Sequence, residues 1–162
     1  MARTWYFLHS KPRAEKKLQL WLTNCRIWNY LPVFVKAHVV QRRTVRSEIP
    51  IFPSYLIARM SDAERIQALR SNLVVMQIPI DRPREVIHQL RQVVRAARKA
   101  QEVKPAPVAD KAGKFVRIKS GPMSGLEGYV VKKGSKCSVI VNMEALGTAF
   151  EVAVPAEDLA VA

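Results

Sequence analysis

Two prolines three residues apart, Pro50 and Pro53, constrain this chain more than any other feature. Each fixes its own φ and lacks an N–H, so Ile49-Pro50-Ile51-Phe52-Pro53-Ser54 cannot run inside a continuous sheet ladder. Tyr55-Leu56-Ile57-Ala58-Arg59-Met60 follows at once and reads as a strand. Stiff backbone therefore holds an aromatic ring, Phe52, at the mouth of a strand. On composition alone Phe52 and Tyr55 read as ordinary core aromatics.

The flanking sequence supplies the partners of that strand. Arg3 to His9 is apolar and aromatic, as a buried strand is. Ser10 is placed to cap the helix that follows, with Pro12 near its first turn. Ala14, Leu18, Trp21, Leu22 and Cys25 form one apolar stripe at 3–4 spacing. Lys11, Arg13, Lys16 and Lys17 fall off the stripe, with Glu15 the one acidic residue among them. Val33, Val35, Val39 and Val40, then Val45 and Ile49, predict a hairpin with a basic tip at Gln41-Arg42-Arg43-Thr44. Ser61-Asp62-Ala63-Glu64 is a capping box opening a short helix to about Arg70. Val74 to Ile80 is a further strand. Asp81 is placed to cap a longer helix with Pro83 in its first turn, and Val86, Ile87, Leu90, Val93, Val94 and Ala97 mark its buried stripe. The order β-α-β-β-α-β-α predicts an α+β sandwich over residues 1–100, a mixed, mainly antiparallel sheet flanked by helices.

Residues 101–112, with Pro105 and Pro107 and no periodicity, read as a linker. Residues 113–162 are all β: short strands separated by Gly-rich turns, the pattern of a small closed barrel that works through its loops.

Charge divides the chain in the same place. Residues 1–101 carry 19 Lys and Arg against 6 Asp and Glu, whereas residues 102–162 carry 8 against 7. The first part is thereby the candidate for binding nucleic acid or another polyanion. No run approaches 18 apolar residues, so no membrane partner is expected. The N-terminus lacks a secretory pattern and the two cysteines are far apart, which points to a reduced cytoplasmic setting. His9, His38 and His88 have no metal-ligand spacing, and neither cysteine has a local base. No nucleophile elbow or phosphate loop occurs, so neither an enzyme nor a cofactor is expected.

Gly113-x-x-Val116-x-Ile118-x-x-Gly121-Pro122-Met123-x-Gly125-Leu126-x-Gly128-x-Val130 resembles the KOW motif. Gly121-Pro122 turns the chain, and Gly125 and Gly128 suit positive φ or close backbone approach. Met123 and Leu126 either plug the end of the barrel or form a partner-binding patch. With that motif in place, the Trp5-Tyr6 strand, the Ser10-Lys11 helix start, the basic hairpin and Phe52-Pro53-Ser54-Tyr55-Leu56 resemble the N-terminal domain of the NusG family.

The resemblance covers nearly the whole chain and implies a NusG-type N-terminal domain, a linker and an SH3-like KOW barrel. It implies a monomeric transcription elongation or antitermination factor that suppresses pausing or termination. Its partners would be the β′ clamp helices and β lobe of bacterial RNA polymerase, and the non-template DNA of the transcription bubble. Carried onto this chain, His9, Phe52, Pro53, Tyr55 and Ile57 match the clamp-docking patch, and Ile66 and Gln67 the lobe-facing helix. Lys11, Arg13, Lys16 and Lys17 match the helix face near the non-template strand, and Arg42 and Arg43 at the hairpin tip are further nucleic-acid candidates. Met123, Leu126 and Leu146 match loop positions that contact a small-subunit ribosomal protein or the termination factor Rho. Ser54 stands where the family usually has Gly and Met123 where it has Phe. These departures, with the high basicity, favour a specialised RfaH-like antitermination paralogue. A KOW-type RNA- or ribosome-binding protein is the alternative.

Overall fold

A computed structural model describes residues 2–100, 104–107, 109, 113–121, 124–133, 136–143, 146–155 and 159–161. The elements run β1 (Thr4–Ser10), α1 (Glu15–Asn24), β2 (Trp28–Tyr30), β3 (Val33–Val40), β4 (Arg43–Pro50), β5 (Tyr55–Met60), α2 (Asp62–Arg70), β6 (Val74–Pro79) and α3 (Pro83–Ala100). There follow β7 (Lys104–Ala106), β8 (Phe115–Ile118), β9 (Glu127–Lys133), β10 (Lys136–Met143), β11 (Thr148–Val154) and β12 (Leu159–Val161). The chain is thus α+β, and it packs as two compact units. One comprises Met1–Val33 and Glu48–Pro83, the other Phe34–Ser47 and Arg84–Ala162.

The first unit is built on a four-stranded sheet in the order β2-β5-β1-β6. Every pairing in it is antiparallel, so the mixed sheet expected from sequence is not seen. Strand alternation sends Tyr6 and Leu8, with Leu56, Ala58 and Met60, to one face. There they pack with Leu18 and Leu22 of α1, Ala68 of α2, and Ile27 and Leu31. The capping box forms as predicted: Glu64 N–H donates to Ser61 Oγ and Ser61 N–H to Glu64 Oε2.

Ser10 does not cap α1. Its N–H donates to Ser54 O at 2.8 Å and Lys11 N–H donates to Leu73 O at 2.9 Å, which holds the backbone in the sheet through this point. Arg13 turns the chain at φ 58°, and the helix begins only at Glu15, behind Ala14, with no side-chain cap. Trp21, expected in the buried stripe, is partly exposed because its indole N–H donates to Gln67 O at 3.1 Å. The far end of α1 closes as a Schellman motif: Ile27 N–H donates to Leu22 O and Arg26 N–H to Thr23 O. Arg26 takes the left-handed position at φ 56°, where glycine avoids a cost of about 1 kcal/mol.

In the second unit the valine-rich hairpin makes its own two-stranded sheet, β3-β4. Its tip is Gln41-Arg42, at φ 48° and 64°. Positive φ at both positions is the signature of a type I′ turn, adopted here without Asn or Gly. Helix α3 starts at Pro83, two residues after Asp81, and buries Val86, Leu90, Val93, Val94 and Ala97 while Arg84, Arg91, Arg95 and Arg98 stay exposed. Although α3 was expected to belong to the domain of residues 1–100, it groups with the β-rich segment. Its Gln92 Nε2 donates to Gly125 O at 3.3 Å.

A six-stranded antiparallel sheet, β12-β8-β9-β10-β11-β7, forms the rest. The expected linker is therefore partly strand: Lys104–Ala106 pairs with β11, Ala106 opposite Ala149. Pro105 suits this place because β7 is an edge strand, where a missing N–H is tolerated. Gly125 takes φ 92°, and a Cβ at Gly128 would collide with the Ile140 carbonyl and the Val139 side chain. The two glycine roles weighed from the motif are thus divided between these two residues.

Candidate functional site

The second face of the first unit's sheet carries the odd-numbered residues of β1, and it is layered by register. Phe7 lies opposite Ile57 of β5 and Ile78 of β6, and Ile57 lies opposite Tyr30 of β2. Phe7 and Ile57 are buried, at 1% and 3% exposure. One step along, His9 lies opposite Tyr55 and Met76. Here the face opens. The His9 and Tyr55 rings stack at 4.8 Å with planes 15° apart, and Met76 and its neighbour Val75 are exposed.

The proline-bracketed stretch shapes this open end. Tyr55 N–H donates to Phe52 O at 3.1 Å, closing a turn with Pro53 second and Ser54 third at φ 68°. Proline at the second position and positive φ at the third are the pattern of a type II turn. The turn exposes Pro53 and buries Phe52, which is 2% exposed. Of the residues matched to the clamp-docking patch, His9, Pro53 and Tyr55 therefore present surface. Phe52 and Ile57 do not. Ile57 sits in the buried middle row, and Phe52, whose carbonyl opens the turn, is buried as well.

Glu15 locks this turn to α1. Its Oε1 accepts the Ser54 N–H at 2.8 Å, and Ser54 O accepts the Ser10 N–H. The Glu15 side chain is buried, whereas Lys11, Arg13, Lys16 and Lys17 around it are exposed. In the sequence Glu15 stands out only as the one acidic residue among those cations. The signal it offered was its isolation: a lone acid in the first turn of a basic helix is placed to accept from backbone N–H groups. Lys11 Nζ reaches Asn72 Oδ1 at 3.4 Å, and Asn72, like Arg13 and Ser54, has positive φ. Three L-residues in the left-handed region thus converge on one end of the sheet, a concentration of strain typical of functional surfaces.

Ile66 and Gln67 are both exposed on α2, beside buried Ala68. The start of α2 is anchored by a bidentate pair, Arg3 Nε and Nη2 to the two Glu64 oxygens at 3.1 and 3.0 Å. The Arg3 hydrogen bond, then the Ser61 N–H, holds the Glu64 carboxyl below its ordinary pKa. Arg42 and Arg43 are exposed at the hairpin tip, in the other unit from the α1 cations. Leu126 is buried and Leu146 half-buried, while Met123 lies outside the described residues. Among the described residues no cluster of His, Cys, Asp and Glu could hold a metal ion. No helix among them is long and apolar enough to cross a membrane.

No curated protein matches the chain. The family model NusG, described as transcription termination factor nusG, matches residues 3–117, which include the whole of the sheet, the turn and the basic helix start. That match spans well over half of the chain, and the chain belongs to the NusG family of transcription factors.

Proposed function

We propose that the chain is a non-enzymatic cytoplasmic elongation and antitermination factor that docks on bacterial RNA polymerase through the open His9–Tyr55 end of its first unit. The observation that carries this reading is the stacked pair itself. It is an aromatic platform, half exposed, on a turn stiffened by Pro53 and clamped by Glu15. A surface ordered before its partner arrives loses little entropy on binding. Aromatic anchors of this kind tend to dominate protein interfaces.

In this reading Pro53, Tyr55 and His9 meet the β′ clamp helices, while Ile66 and Gln67 face the β lobe. Lys11, Arg13, Lys16 and Lys17 run beside the non-template strand, with contacts to phosphate that are independent of sequence and sensitive to salt. Residues 113–162 act as a KOW barrel that recruits a ribosomal protein or Rho. Their short antiparallel strands and the Gly125 and Gly128 geometry support that assignment. Leu126 is buried, so Leu146 is the better-exposed of the two described loop residues.

The test is co-purification with core RNA polymerase. Tyr55→Asp is expected to weaken retention by about thirtyfold or more, the loss of one interface hot spot. Full retention by a folded Tyr55→Asp protein overturns the docking assignment. Sedimentation with ribosomal subunits in the absence of transcription would instead favour the RNA- or ribosome-binding reading.

A further inference from the structure

The same sheet face opens again at its other end, with different chemistry. Arg59 of β5 lies opposite Trp5 of β1 on one side and Trp28 of β2 on the other. Directly paired residues share a face, so the three form a row across the sheet. The tryptophan rings meet edge to face at 5.0 Å and 79°, and the Arg59 guanidinium lies over the Trp5 ring at 5.6 Å. With Arg3 and Arg26 these residues line an open depression of about 330 Å³. That is within the range of small-ligand clefts, about 300–1,000 Å³.

Several features set this depression apart from ordinary surface. Trp28 is 53% exposed. Arg3 is held by Glu64, but neither Arg26 nor Arg59 pairs with a carboxylate among the described residues. Arg26 occupies a left-handed position that glycine would fill with less strain. The cleft thus combines flat aromatic rings with uncompensated guanidinium groups. That combination repels cations and leaves apolar peptides facing unneutralised charge. It suits a planar ring joined to an anion.

We propose that the Trp28–Arg59–Trp5 row is a binding site for an unpaired nucleotide of a single-stranded nucleic acid. The base stacks on Trp28, and Arg26 and Arg59 hold the adjoining phosphate. Stacking on tryptophan is available only to a base released from a duplex, and it tolerates any base because each has a π-face. The row lies on the opposite sheet face from α1, whose apolar stripe packs against Tyr6 and Leu8. Arg26 follows the far end of α1, whose 10 residues rise about 15 Å from its basic start. The two surfaces are therefore distinct sites, and this one does not depend on polymerase docking.

The experiment uses the full chain alone, so its outcome is independent of the polymerase reading. Fluorescence anisotropy is read with labelled hexamers of uridine and of thymidine, and with a short duplex. Trp28→Ala is expected to weaken single-strand binding about tenfold, and Trp28→Phe to keep most of it. Arg26→Ala is expected to lower the slope of log affinity against log salt by about 0.7, one phosphate on a single strand. Loss with the RNA hexamer alone, the DNA hexamer alone or both supports the site and identifies the strand it takes. Binding within twofold of wild type by Trp28→Ala and Arg26→Ala, both folded, overturns it. So does an equal loss on duplex and single strand, since no base is free to stack in a duplex.

Discussion

The two open ends of one sheet face share a backbone and differ in chemistry. At the Tyr55–His9–Met76 end no lysine, arginine or carboxylate stands in the row, and the exposed groups are aromatic and apolar. At the Trp28–Arg59–Trp5 end two indoles meet edge to face with a guanidinium over one of them, and two more arginines stand on the rim. Between them runs the buried row of Phe7 and Ile57. The difference teaches that register alone can give one sheet two chemically distinct open ends. Each step of two residues along β1, from Trp5 to Phe7 to His9, changes what the face presents: an indole under a guanidinium, a buried ring, then a stacked aromatic pair.

The largest test of this comparison removes what joins the ends. Phe7→Ala deletes a buried ring from the middle row and is expected to cost about 3–5 kcal/mol. Polymerase retention and oligonucleotide binding should then fall together, as a melting curve drops. Survival of either activity at wild-type stability would show that the ends do not share one core. The site variants should behave in the opposite way. Tyr55→Asp should leave hexamer binding within about twofold, and Trp28→Ala should leave polymerase retention within about twofold, as separated sites do.

Glu15→Ala bears on one end only. It strips the Ser54 N–H of a carboxylate acceptor and frees a turn held at positive φ. The expected loss is about 1–2 kcal/mol in chemical denaturation, the scale of a part-exposed bond to a charged group. Polymerase retention should weaken while hexamer binding does not. If both weaken equally, Glu15 supports the whole unit and not the docking turn.

How much of this was legible in the sequence depends on the range of the interaction. Local signals read well. The capping box at Ser61, the stripe of α3 and the valine hairpin each rest on spacing within one element. Ser10 was misread because its capping chemistry lost to two long-range backbone bonds, to Ser54 and from Lys11 to Leu73. Lys104–Ala106 was misread because an edge strand accepts a proline once a neighbour offers a free ladder. The stiff turn around Pro53 was visible, but not the side to which Phe52 would fold. The Trp5, Arg59 and Trp28 row was missed outright. It joins residues more than fifty positions apart, and the three-residue β2 that completes it has no periodicity of its own.

The smallest expected effect separates the ends by pH. Arg3 borders the tryptophan cleft and holds Glu64, whose carboxyl titrates below its ordinary value because the charged form is hydrogen-bonded by Arg3 and by Ser61 N–H. A carboxyl with a lowered folded-state pKa contributes stability that is complete above the unfolded pKa. That contribution is lost as pH falls through the folded one. Acidification into and below the ordinary carboxylate range should therefore lower the wild-type melting temperature more steeply than that of Glu64→Gln, which has no proton to gain. The Glu64→Gln protein also leaves Arg3 without its carboxylate partner, so at neutral pH hexamer affinity should rise modestly, about two- to threefold, with a steeper salt slope. Polymerase retention should not move with it. Parallel pH slopes in the two proteins would show that the Arg3–Glu64 pair adds nothing to folding, and a change in polymerase retention without a change in hexamer affinity would place Arg3 with the wrong end of the sheet.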